Sequence, residues 1–165
     1  MPKISQIDTF IIDFDGVLTD NSVYVCEDGN ESVRCSRGDG LAIQVLKKLN
    51  KEIFILSTEE NKVVSLRAKK LRVDVIQGVA NKHLTLTNFA SQKKINLKKT
   101  LYIGNDLNDY HAMNLCSLKI CPSDSHQKIK DISDIVLKSG GGQQVLREVL
   151  EDIFKIDILG ILYQN

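Results

Sequence analysis

Two aspartates one residue apart, Asp13 and Asp15, close an apolar run and are followed at once by Gly16. Side chains alternate along a strand, so the two carboxylates would share a face if the strand continued. Gly16 marks a sharp turn there instead. Carboxylates this close repel each other unless a cation sits between them. A hard divalent cation with oxygen ligands, such as Mg²⁺, suits them. A strand that ends in a solvated acidic turn would show the same three residues, so the other strand ends must decide.

Three further apolar runs end in residues with usable chemistry. The second delivers Ser57 and Thr58. The third is followed by Gly78 and, at the next helix start, Lys82. The fourth runs into Gly104-Asn105-Asp106-Leu107-Asn108-Asp109. Taken singly, Ser57 reads as a helix N-cap, Lys82 as a solvated surface lysine and the acidic turn as a helix start. Ligands of open α/β sheets bind at the carboxyl ends of the strands. Gathered there, these carboxylates, hydroxyls, ammonium and acidic turn would hold a metal and a phosphate together.

The elements that must position them alternate. Strands are predicted at 7–13, 52–57, 73–76, 100–103, 118–121 and 135–137. Several are continuous apolar runs, as expected of strands buried on both faces of a parallel sheet. Helices are predicted at 41–50, 61–71, 82–94, 107–116, 125–131 and 143–154, each with apolar residues at helical spacing. The βαβα order predicts one α/β domain over 1–165, a doubly wound, mostly parallel sheet. One segment breaks the alternation. Residues 22–26 and 31–35 flank Glu27-Asp28-Gly29-Asn30, which predicts a β-hairpin placed to project over the Asp13–Gly16 corner. Asp39 reads as the N-cap of the helix beginning near Leu41.

Composition narrows the partners. The chain has 165 residues and a net charge of +1. No basic stripe predicts nucleic-acid binding, and the balanced charge gives no attraction to an anionic membrane. No signal-like segment or apolar run of spanning length is present, so a cytoplasmic location is expected. Cys26, Cys35, Cys116 and Cys121 form no CxxC pair. Neither they nor the histidines show metal-ligand spacing. They are expected to be buried hydrophobes or inert thiols, with no disulfide.

The ordered set Asp13-x-Asp15-Gly16-x-x-Thr19, Ser57, Lys82 and Gly104-Asn105-Asp106-x-Asn108-Asp109 resembles the haloacid dehalogenase (HAD) superfamily of phosphotransferases. The spacing leaves room for a hairpin and a helix between Asp13 and Ser57, but for no cap domain. The chain is therefore similar to the capless branch: 3-deoxy-octulosonate 8-phosphate phosphatases, nonulosonate 9-phosphate phosphatases, and a related domain fused to acylneuraminate cytidylyltransferases. The resemblance implies a phosphomonoesterase acting on a sugar-acid phosphate, and a homotetramer. It implies Asp13 as nucleophile and Asp15 as acid and base. Mg²⁺ would be held by Asp13, the Asp15 backbone carbonyl and the Asn105/Asp106 turn. Ser57 and Lys82 would bind phosphate, with Asp109 behind Lys82 or a metal-bound water. Glu59, Arg67, Lys70 and Gly78 would lie toward the sugar acid. Two positions depart from the pattern. Asn105 stands where the family usually has aspartate, and Gln143-Gln144 where relatives usually have another glycine. Asn105 leaves open a non-catalytic assembly or regulatory module of the same fold. A phosphorylated receiver domain fits less well, because no second aspartate ends the 52–57 run.

Overall fold

The computed structural model describes residues 2–164. In chain order, β1 is Thr9–Ile12, β2 Tyr24–Val25 and β3 Glu31–Ser32. Then come α1 (Arg37–Lys48), β4 (Glu52–Leu56), α2 (Val63–Leu71), β5 (Asp74–Ile76) and α3 (Lys82–Lys93). The second half holds β6 (Thr100–Ile103), α4 (Tyr110–Met113), β7 (Leu118–Cys121), α5 (Gln127–Ile132), β8 (Ile135–Val136), α6 (Val145–Glu148) and α7 (Ile158–Tyr163).

The long-range sheet runs β5-β4-β1-β6-β7-β8, and every pairing in it is parallel. The chain leaves β1 for β4 and β5 on one side, then crosses back to β6 on the other. The switch point therefore lies between β1 and β6, where doubly wound sheets leave a crevice beyond the strand ends. Ile12 pairs in register with Ile55 on one side and Ile103 on the other. The residues that follow these strands emerge together at the crevice.

Alternation sorts the strand side chains into two cores. Phe10, Ile12, Ile53, Ile55, Leu101 and Ile103 pack with α1 and the C-terminal Val145, Leu146 and Val149. Ile11, Phe54, Leu56 and Tyr102 pack with Leu86 of α3, Ala112 and Met113 of α4 and Ile129 of α5. A large apolar side chain so buried contributes about 1.5–3 kcal/mol. Both faces being covered explains the unbroken apolar runs. From β1 to β4 the chain forms a wide turn over Phe14–Leu18, the hairpin and α1, so no cap domain intervenes.

Several elements differ from expectation. The hairpin pairs only Tyr24–Val25 with Glu31–Ser32, and a bridge from Thr19 to Cys35 closes its base. The 107–116 helix shrinks to Tyr110–Met113, because residues 104–109 are spent on a turn. The 143–154 helix divides into α6 and a wide turn over Val149–Ile153. α1 begins four residues earlier than expected, capped by Ser36, whose Oγ accepts from Gly38 N at 3.1 Å. Asp39 is thus not the N-cap; it lies in the first turn and accepts from Leu146 N, 107 residues away. Cys116 and Cys121 are buried, Cys35 is half-buried and Cys26 exposed. Burial pushes the Cys116 thiol up to about 12.

Candidate active site

β1 carries Ile11 toward the α3/α4 side, and Asp13, two residues on, follows it. The backbone stays extended at Asp13, whose N–H still donates to Ile103 O at 2.9 Å. At Gly16 φ becomes +76° and the chain turns. A β-carbon there would fall on the Asn105 side chain, so glycine permits both the turn and the approach of the β6 loop.

Lys82 reaches Asp13 from the first position of α3. Asn81 caps that helix, its Oδ1 accepting from Leu84 N at 3.0 Å. Lys82 Nζ lies 2.7 Å from Asp13 Oδ1 and 2.7 Å from Asp109 Oδ1, and all three side chains are buried. Asp109 Oδ1 also accepts the Tyr102 hydroxyl at 2.8 Å, and its Oδ2 accepts Asn105 N at 2.9 Å. Asp13 Oδ1 takes a second bond, from Phe14 N at 2.7 Å. Oδ1 is thus held twice, and Oδ2 is the oxygen left for chemistry.

The electrostatics are unbalanced. Burial, then the Asp109 charge, pushes the Asp13 carboxyl well above its ordinary range, while Lys82 pulls against both. Burial alone would lower the Lys82 ammonium, but Asp13 and Asp109 outweigh it and hold its pKa above normal. Burial, then the charge of Glu59, raises half-buried Asp15. Burial and Asp109 hold the Tyr102 phenol well above its usual value, so it remains a donor. One ammonium therefore serves two buried carboxylates, with Asp15 and Asp106 close by.

Among the described residues, no three His, Cys, Asp or Glu side chains gather as a metal cluster. The available donors are instead the Asp13 and Asp106 carboxylates with the Asp15 backbone carbonyl and the Asn105 amide. Asn105 Oδ1 is buried without a hydrogen-bond partner. An orphaned acceptor beside surplus negative charge fits a hard divalent cation. Asp13, Asp15, Asn105 and Asp106 all line one cleft of about 420 Å³, with Asn21, Thr58, Leu107 and Asn108.

Other expected site residues fall in different places. Ser57 is buried one residue beyond β4, its Oγ accepting from Glu59 N at 3.1 Å. Glu59 Oε1 accepts from Asn61 N at 2.7 Å, and Glu59 O accepts from Gly78 N at 3.0 Å. The structure does not bring Arg67 and Lys70 to the cleft. α2 turns them toward α1, where Arg67 Nη2 donates to Ser36 O at 2.9 Å. There they line a separate cavity of about 800 Å³ with Arg37, Lys47 and Arg72. Tyr102 and Asn61 were not foreseen. A tyrosine between Leu101 and Ile103 of a buried strand was the visible signal for the first. Asn61, which also donates to Glu31 Oε2 of the hairpin at 2.9 Å, gave none.

Residues 39–143 match the haloacid dehalogenase-like hydrolase family. Over 152 residues the chain is 30% identical to the 3-deoxy-D-manno-octulosonate 8-phosphate phosphatase KdsC of Salmonella typhi, covering 92% of this chain and 81% of that one. The crystal structure of the 3-deoxy-D-manno-octulosonate 8-phosphate phosphatase of Moraxella catarrhalis, in complex with magnesium ion, phosphate ion and KDO, superposes with a TM-score of 0.87. It is 30% identical, over 92% of this chain and 88% of that one. An HAD family hydrolase structure from Streptomyces avermitilis gives a TM-score of 0.88 at 36% identity, covering 92% and 87%.

Proposed function

The chain belongs to the haloacid dehalogenase-like hydrolase family, and from that premise we propose that it is a magnesium-dependent phosphatase of sugar-acid phosphates, with Asp13 as nucleophile. The observation that carries this is the Lys82 bridge at the β1/β6 switch point, which leaves one Asp13 oxygen unheld at the cleft.

Asp13 Oδ2 attacks phosphorus, and the bond from phosphorus to the sugar oxygen breaks. Asp15 gives its proton to that departing oxygen. Its raised pKa suits the task, because a carboxyl group must be protonated to act as an acid. Asp15 then takes a proton from water, which attacks the aspartyl-phosphate and releases inorganic phosphate. Lys82 holds Asp13 in place, and Ser57 stands at the neighbouring strand end as a donor to the phosphoryl group. Asp13, the Asp15 backbone carbonyl, Asn105 and Asp106 would hold Mg²⁺, which would supply charge neutralisation between carboxylate and phosphate.

The KdsC-type relatives favour a 3-deoxy-octulosonate 8-phosphate. Glu59, whose charge raises Asp15, favours a nonulosonate 9-phosphate, because the resemblance gives those phosphatases glutamate at this position and the octulosonate phosphatases arginine. A panel of sugar-acid phosphates with purified protein and Mg²⁺ ranks the two, and no hydrolysis of any phosphomonoester would refute the reading. Association into a tetramer is part of the same reading. Val23, Tyr24 and Val25 of the hairpin, 52%, 61% and 67% exposed, support it. Light scattering should give about four times the 18.5 kDa chain mass. No helix among the described residues is long and apolar enough to cross a membrane.

A further inference from the structure

Asp39 is 1% exposed, and its Oδ1 accepts from Leu146 N at 2.8 Å. α6 has no cap of its own: Gln144 before it is left-handed, φ 68°, and its side chain makes no capping bond. Asp39 thus caps a helix 107 residues away. At Gly38 a β-carbon would come within 2.8 Å of Gln144 Cδ, so the C-terminal segment is pressed onto the start of α1.

The other end of that segment touches the active-site loop. Gly142 N donates to Val17 O at 3.0 Å. A β-carbon at Gly141 would overlap Gly16 O and lie 2.7 Å from Thr19 O. The Gly16–Thr19 backbone in turn frames Asp15: Thr19 Oγ1 accepts from Gly16 N at 3.2 Å and donates to Asp15 Oδ1 at 3.5 Å.

We propose that Asp39 is a positioning residue for the phosphatase: by anchoring residues 142–146 it seats Gly141 and Gly142 behind the loop that carries Asp15. Stability alone accounts poorly for an aspartate here. Its Oδ2 is buried without a partner, and a buried unpaired carboxylate oxygen costs free energy. What the carboxylate supplies is a fixed address for the C-terminal segment. Asp124 fastens the same segment as well, its Oδ1 accepting from Gly141 N at 3.0 Å.

The test uses the full chain as wild type, Asp39→Ala, Asp39→Asn and Gly141→Ala. Amide hydrogen exchange is followed over residues 14–20 and, for comparison, over β1 and β6. In Asp39→Ala, exchange at 14–20 should quicken about tenfold while β1 and β6 stay protected. With Mg²⁺ and a phosphomonoester, kcat should fall about ten- to a hundredfold with KM within about twofold. Asp39→Asn keeps an acceptor for Leu146 N and should restore both. Unchanged exchange at 14–20, or a rise spread evenly over β1 and β6, overturns the proposal, as does an unchanged kcat. Should Asp39→Ala fail to fold, Gly141→Ala carries the test with the same expected local signature, and wild-type exchange there refutes it. The kinetic readout rests on the phosphatase reading, whereas the exchange readout does not. Wild type inert toward every phosphomonoester would sink the function alone and leave the exchange result to decide this inference.

Discussion

Lys82 Nζ and Asp13 Oδ1 lie 2.7 Å apart, with side-chain exposures of 0% and 5%. A lysine this buried persists only because its charge is matched. Lys82→Met leaves Asp13 and Asp109 as uncompensated buried carboxylates. It should cost about 3–5 kcal/mol in urea denaturation at neutral pH and abolish turnover. A variant as stable and as active as wild type would remove the ion pair from the account.

Tyr102 supports the same pair from behind, donating to Asp109 at 2.8 Å. Tyr102→Phe removes only this donor and leaves a buried carboxylate one bond short. A loss of about 1–3 kcal/mol is expected. In addition kcat should fall severalfold, because Asp109 then orients Lys82 less firmly. Steady-state kinetics beside a denaturation curve checks both.

Asn105 is a neutral amide where the acidic turn usually has a carboxylate, and its Oδ1 has no partner. Asn105→Asp adds a carboxylate where negative charge is already in surplus. Without metal the variant should melt at a lower temperature than wild type. With saturating Mg²⁺ it should gain more stability, because a ligand that binds only the folded state stabilises by mass action. Half-maximal activation should shift to lower Mg²⁺. Equal Mg²⁺ responses in the two proteins would place the metal away from residue 105.

Burial pushes Asp39 up from its ordinary 3.8 to about 6, against the pull of the Leu146 and Arg147 amides. The folded chain therefore binds this proton more tightly than the unfolded chain. Between pH 4 and 6 the folded state holds more protons, so stability from this group falls as pH rises, and levels off above 6. The loss amounts to about 3 kcal/mol. Asp39→Asn cannot titrate, so its stability relative to wild type should grow across that window. Denaturation midpoints of the two proteins at pH 4, 5, 6 and 7 measure the difference, and parallel curves would contradict it.

Strand positions were legible because both faces of the sheet are covered, which writes unbroken apolar runs such as Thr9–Ile12 and Thr100–Ile103. With the strands placed, the α/β order located Asp13, Lys82 and Asn105 at one edge. Long-range choices were not legible. Asp39 obeys a local capping rule in the sequence, yet its carboxylate serves a helix at the far end of the chain. Arg67 and Lys70 follow Glu59 closely, but α2, which carries both, turns them toward α1. α7 is six residues with Gly160 inside, too short for its periodicity to stand out.

Covalent catalysis here depends on the oxygen of Asp13 that Lys82 and Phe14 leave free. Asp13→Asn keeps the side chain's shape and removes its nucleophilic charge. Its kcat toward the best phosphomonoester of the panel, measured with saturating Mg²⁺ on protein shown to be folded, should fall by at least about a thousandfold. Turnover within about tenfold of wild type in that folded variant would contradict covalent catalysis at Asp13.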